Sequence, residues 1–141
     1  IQLIVATGSN RKLFEWLERK KSSFRMKTVA LGMATNVDEL MSVSSIIITK
    51  PGGLTISESL AKGLPIIILN PIPGQEAKNS EFLLKNGAAV KADNAPDAAL
   101  LTEALVTQKY KLEQMRGNAA RLAKPNSSTD IARLILECAS T

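Results

Sequence analysis

A chain of 141 residues, 45% of them hydrophobic, has material for one ordinary α/β-sized core. No apolar run approaches the roughly 20 residues of a spanning helix, so a transmembrane helix is excluded. The chain holds no histidine, which removes the commonest general base and the commonest metal ligand, and no Asp-x-Asp pair or carboxylate cluster that would hold a divalent cation beside a diphosphate.

The net charge of +5 is local. Arg11, Lys12, Arg19, Lys20, Lys21, Arg25 and Lys27 meet only Glu15 and Glu18 in their stretch, seven against two, and the remaining eleven basic residues balance eleven acidic ones. Such a patch fits an anionic membrane surface or an acidic partner, and it also fits a solvated helix end and loop. Nucleic acid is disfavoured, because aromatics make up 4% of the chain and no recognition motif accompanies the charge.

The chain opens on Ile1 rather than Met, with a stretch that reads as a buried strand, and is expected to be cut from something longer. Gln2 to Thr7 is that strand, ending in Gly8-Ser9-Asn10. Arg11 to Lys21 is a helix with Leu13, Phe14 and Leu17 on its apolar side and Trp16 nearby. Met26 to Leu31 is the next strand, Gly32 to Thr35 a loop, and Asn36 a cap for a short helix through Met41.

Ile46 to Thr49 and Ile66 to Leu69 are short apolar runs bounded by Pro and Gly. They read as parallel strands buried on both faces, joined by one helix. After the loop from Asn70 to Gly74 come a helix from Gln75 to Lys85, a C-cap at Asn86-Gly87 and a short strand from Ala88 to Lys91. From Pro96 the pattern is helical to the end, broken at Pro125-Asn126. Cys138, the single cysteine, cannot form an internal disulfide, which suits a reducing compartment; its apolar helical setting predicts a packing role. Strands alternating with helices imply a doubly wound, Rossmann-like parallel sheet.

The chemistry is expected between the two isoleucine-rich strands, at Lys50-Pro51-Gly52-Gly53. Pro51 cannot continue the ladder, and neither glycine has a Cβ to keep an oxyanion from the amides of a helix opening at about Leu54. Gly52, Gly53, Leu54 and Thr55 then form a phosphate seat at the carboxyl end of a parallel strand, with Glu58 a turn further in, suited to the hydroxyls of a ribose. The competing reading is a capping box, Thr55 as N-cap and Glu58 folding back onto its amide. A helix starting after Thr55 favours the cap; one starting at Gly53 or Leu54 leaves Glu58 free.

A second stretch, Asn70-Pro71-Ile72-Pro73-Gly74-Gln75-Glu76, presents Gln75 and Glu76 at a helix start with Asn79 one turn on. An amide beside a carboxylate offers donors and acceptors to vicinal hydroxyls, although a helix N-terminus also favours these residue types by itself.

Lys50-Pro51-Gly52-Gly53-Leu54-Thr55-Ile56-Ser57-Glu58, Gly63-Leu64-Pro65, Pro73-Gly74-Gln75-Glu76 with Asn79, and Asn86-Gly87-Ala88-Ala89 together resemble the nucleotide-sugar half of GT-B glycosyltransferases. The likeness is to the lipid-glycosylating group of family 28: monogalactosyldiacylglycerol synthases, processive diacylglycerol glucosyltransferases and, more distantly, the peptidoglycan N-acetylglucosaminyltransferase. It covers nearly all of the chain from Leu3 to the last helix.

The resemblance implies that residues 1–141 form the UDP-sugar donor domain of an inverting, metal-independent transferase that moves a hexose to a lipid such as diacylglycerol. No cofactor is implied beyond the UDP-sugar donor itself. By position, Gly52, Gly53, Leu54 and Thr55 would hold the diphosphate, Glu58 the ribose, and backbone at Met33 and Ala34 the uracil. Gln75 and Glu76 would grip the sugar, with Asn79 supporting them. A cytoplasmic location, peripheral at the inner face of the membrane, is implied as well.

Two departures stand out. The group's first strand, Gly-rich loop and helix have no counterpart before Gln2, and the acceptor domain that supplies the base lies outside the chain, so no catalytic residue is assigned and the fragment by itself is expected to be inactive. Retaining members resembling sucrose and glycogen synthases carry a Glu eight positions before the residue matching Glu58; Lys50 stands there, which favours inversion. Another UDP-sugar enzyme of this fold, with a soluble acceptor or 2-epimerase-like, and a non-catalytic phosphate- or protein-binding module are the alternatives.

Overall fold

A computed structural model describes residues 1–140. In chain order the elements are β1 (Gln2–Ala6), α1 (Arg11–Lys20), a 3₁₀ turn (Lys21–Ser23), β2 (Lys27–Leu31), α2 (Val37–Val43), β3 (Ile47–Thr49) and α3 (Gly53–Ala61). They continue with β4 (Ile66–Leu69), α4 (Gln75–Lys85), β5 (Ala89–Ala92), α5 (Ala95–Thr107), α6 (Lys109–Leu122) and α7 (Ser127–Ala139). The chain divides into two compact units, Ile1–Val37 and the residues from Asp38 onward. The expected alternation and parallel pairing are both present, distributed over a two-stranded sheet β1-β2 and a three-stranded sheet β3-β4-β5.

In the first unit β1 and β2 pair in parallel from Gln2↔Lys27 to Ala6↔Leu31. Helix α1 starts where it does because Asn10 Oδ1 accepts the Leu13 amide at 3.0 Å, satisfying one of the amides every helix start leaves over. Its apolar side is narrower than the sequence suggests. Only Leu17 is buried, whereas Leu13 and Trp16 are 40% and 46% exposed, since a sheet of two strands offers little surface to cover them.

The second unit is built on β4. Ile66, Ile67 and Ile68 are completely buried, and because successive strand residues point to opposite faces, they feed two cores. Ile66 and Ile68 pack with Ile56 and Leu60 of α3, Leu83 of α4 and Ala119 of α6. Ile67 packs with Ala98 and Leu105 of α5 and Met115 of α6. Strand β3 departs from the expected burial on both faces. It pairs only with β4, and at this sheet edge Ile48 is 40% exposed.

The helical C-terminal third has one break more than expected. Besides the interruption at Pro125, Gln108 leaves helical geometry (φ −93°, ψ 70°) and separates α5 from α6. Asn94 caps α5 by accepting the Asp97 amide at 2.9 Å. Helix α7 has no buried residue, and Cys138 is exposed. Its expected packing role is therefore corrected: the apolar stripe it shares with Ile131, Leu134 and Ile135, each more than half exposed, is not covered within residues 1–140.

Candidate functional site: the glycine turn after β3

Parallel pairing puts the carboxyl ends of neighbouring strands on one rim. Thr49 at the end of β3 pairs with Ile68, one residue before the end of β4, so residues 50–52 and 70–74 leave the same edge of the second unit's sheet. In the first unit residues 7–10 and 32–36 leave the edge of β1-β2 in the same way, with the Thr7 amide reaching the Leu31 carbonyl at 2.8 Å.

The turn after β3 is open. The Gly52 amide bonds back to the Lys50 carbonyl at 2.9 Å, Gly52 is the N-cap in extended geometry (φ −68°, ψ 145°), and α3 begins at Gly53. The capping box is thereby ruled out: no side chain caps this helix, and Ser57 and Ser59 turn their hydroxyls inward to the Gly53 and Thr55 carbonyls, at 2.9 and 2.7 Å. The amides of Gly53, Leu54 and Thr55, three of the four a helix start leaves over, have no acceptor in the helix. A Cβ built at Gly52 or at Gly53 would meet nothing within 4 Å, so no neighbouring group crowds either glycine.

Leu54, four residues before Glu58, is 83% exposed, and Glu58 lies on the same exposed face by helical spacing. Among the described residues its carboxylate has neither a hydrogen bond nor an ion pair. Lys50, at the mouth of the turn, is exposed and has no acidic partner either; the sequence shows this cation in the motif without giving it a role.

Helix α4 supplies the opposite wall. Gly74, with φ 101° and ψ −120°, turns the chain in a region open to glycine and strained for other residues. Gln75 follows at the first helical position, exposed and unpartnered. Glu76 is already committed through one oxygen, Oε2, which accepts the Ile72 amide at 2.7 Å and pins the proline-rich loop to its own helix. Asn79 Nδ2 donates to the Pro51 carbonyl at 2.9 Å, tying α4 to the turn before α3.

The structure thus brings Gly52, Gly53, Leu54, Thr55 and Glu58 together with Gln75, Glu76 and Asn79 in one unit. Met33, 73% exposed, and Ala34 lie in the other, in the turn after β2. The bond from Asn79 to Pro51 is the feature that sequence reasoning missed. Its signal was the polar residue one turn into α4, legible only as a companion of Gln75.

An exposed row of amides beside an exposed carboxylate can hold an oxyanion and a hydroxyl-bearing group side by side. Comparison with known proteins gives that geometry a family. Residues 1–135 match the glycosyltransferase family 28 C-terminal domain. The chain is 35% identical over 137 residues to a processive diacylglycerol beta-glucosyltransferase of Bacillus licheniformis and 34% identical to that of Bacillus subtilis, covering 97% of this chain and 36% of each relative. It therefore spans about a third of the length of these relatives. The crystal structure of Acinetobacter baumannii MurG shares the fold, with a TM-score of 0.79 at 19% identity over 97% of this chain and 42% of that one. The chain belongs to glycosyltransferase family 28 and corresponds to the C-terminal domain of its members.

Proposed function

We propose that this chain is the UDP-sugar donor-binding domain of an inverting, metal-independent glycosyltransferase that transfers a hexose to a lipid acceptor such as diacylglycerol. The observation that carries the reading is the open glycine turn: α3 starts at Gly53, its first amides are unpaired, and no side chain fills the space where a Cβ would stand. The diphosphate takes those amides and the Thr55 hydroxyl, the ribose takes Glu58, and the sugar takes Gln75 and the remaining oxygen of Glu76. Met33 and Ala34 present backbone to the uracil.

In this scheme bond breaking at the anomeric carbon places negative charge on the departing UDP. The helix end, worth roughly half a positive charge, faces that charge from a fixed position and needs no reorganisation as it develops. The attacking hydroxyl is the lipid acceptor's own, and the base that takes its proton is assigned to the part of the protein outside this chain. The processive diacylglycerol glucosyltransferase relatives support a lipid acceptor, and peripheral contact with an anionic membrane along residues 11–27 belongs to the same reading.

The test is a titration of the chain with UDP, UDP-glucose, UDP-galactose and UDP-N-acetylglucosamine, followed by thermal unfolding. Ligand at about 100 times its dissociation constant adds about 2.7 kcal/mol to stability, a clear rise in melting temperature. If none of the four shifts it, the donor-site reading is wrong. With the full-length protein, label moving from UDP-hexose into diacylglycerol vesicles separates a lipid transferase from one with a soluble acceptor.

A further inference from the structure

Helix α4 has a second flank that the donor site leaves unused. By helical spacing Ser80, Glu81 and Leu84 lie together on it, turned away from Gln75 and Asn79. Lys91 stands on the α4 face of β5, because Ala89, two residues earlier, packs in the core with Leu83 of α4 and alternate strand residues share a face. With Pro71 and Lys85, these residues line a groove of about 610 Å³, a size that suits a small molecule.

Ser80 is the residue that a plain helix flank does not explain. It is 6% exposed, yet among the described residues its hydroxyl has no hydrogen bond. Ser42, Ser57 and Ser59 turn their hydroxyls back to the carbonyl four residues earlier, at 2.7, 2.9 and 2.7 Å; Ser80 does not. A buried hydroxyl without a partner is costly, and a ligand in the groove can supply the acceptor.

The rim carries two cations and one acid. Lys85, Lys91 and Glu81 are exposed, and none of them is in an ion pair among the described residues, although Glu81 and Lys85 have the spacing to pair. The groove therefore offers a small positive excess, one hydroxyl donor and apolar walls from Pro71 and Leu84.

We propose that this groove binds a small carboxylate with an apolar body. Lys85 and Lys91 meet its charge, one oxygen accepts from the Ser80 hydroxyl, and the body lies against Pro71 and Leu84. A phosphate dianion would exceed the charge of the rim and leave the apolar walls uncovered, and a cation would face two lysines. The site uses no residue assigned to UDP or to the sugar and lies beyond the donor reading.

The isotope-labelled chain is titrated with phenylbutyrate and, separately, with phenylbutylamine and inorganic phosphate, and its amide resonances are followed by NMR. Phenylbutyrate should shift the amides of Ser80, Lys91 and, next to Pro71, Ile72; the amine and phosphate should not. Ser80→Ala should weaken phenylbutyrate at least about tenfold, as for a hydrogen bond to a charged group, while the melting temperature holds or rises because no bond within the protein is lost. Lys85→Glu with Lys91→Glu should also cost at least about tenfold. Lys12→Glu, an exposed lysine of the other unit, should change the affinity little. No shift at these three amides with phenylbutyrate overturns the proposal, and so do equal shifts with the amine or with phosphate. A Ser80→Ala chain that binds phenylbutyrate normally overturns it as well.

Discussion

Asn79 on α4 donates its side-chain amide to the Pro51 carbonyl at 2.9 Å, across 28 residues of sequence. The bond is partly buried and joins the loop region expected to hold the sugar to the turn expected to hold the diphosphate. Because Pro51 immediately precedes the glycines, fixing its carbonyl fixes the direction in which the chain enters α3, and with it the aim of the Gly53, Leu54 and Thr55 amides.

Replacing Asn79 tests that coupling. Asn79→Ala is expected to cost about 0.5–1.5 kcal/mol of stability, the net value of such a bond, and to weaken UDP as well, although Asn79 need not touch the diphosphate. Asn79→Asp should be worse than alanine, since a carboxylate oxygen would then face the Pro51 carbonyl. Calorimetric titration with UDP and thermal unfolding of both variants check the order.

Glu58 has no partner among the described residues to lose, so Glu58→Ala should leave the melting temperature of the free chain within the small range of surface substitutions. UDP binding should weaken by about 1.5–3 kcal/mol, as for hydrogen bonds to a charged group. UMP should weaken equally, because both ligands keep the ribose. An unchanged UDP dissociation constant removes Glu58 from the site.

Gly53→Val separates folding from binding. A Cβ at Gly53 meets nothing within 4 Å and Gly53 is not in a left-handed conformation, so the free chain should fold with nearly its original stability. The branched side chain would stand where the diphosphate lies, so UDP should lose more affinity than in Glu58→Ala. A Gly53→Val chain that binds UDP normally would move the ligand away from this turn.

Gly87 is a purely structural counterpart. It ends α4 at φ 66°, and a Cβ there would lie 2.6 Å from Asn118 Nδ2, the atom that donates to the Gly87 carbonyl at 2.9 Å. Gly87→Ala should therefore cost more than the roughly 1–2 kcal/mol of a left-handed alanine, with melting temperature lowered and UDP affinity per folded molecule retained.

Much of this arrangement is legible in the sequence because it is governed by local chemistry. Isoleucine runs bounded by Pro and Gly give β3 and β4, Asn10 and Asn94 mark helix starts, and Pro51-Gly52-Gly53 marks an open turn. The shared edge of residues 50–52 and 70–74 in the second unit follows as well, since parallel strands send their carboxyl ends the same way. What local pattern cannot supply is the neighbour. Ile48 and Cys138 sit in apolar patterns like those of buried residues, and only the tertiary structure shows one on a sheet edge and the other on an uncovered helix. The choice between capping box and open turn at Thr55 was likewise undecidable from residue types, because Thr and Glu at that spacing satisfy both. The folded backbone decides it: Gly52 is the N-cap, α3 starts at Gly53, and no side chain caps it. The clamp from Asn79 to Pro51 depends on two parallel strands bringing distant loops together, a relationship that exists only once the sheet has formed.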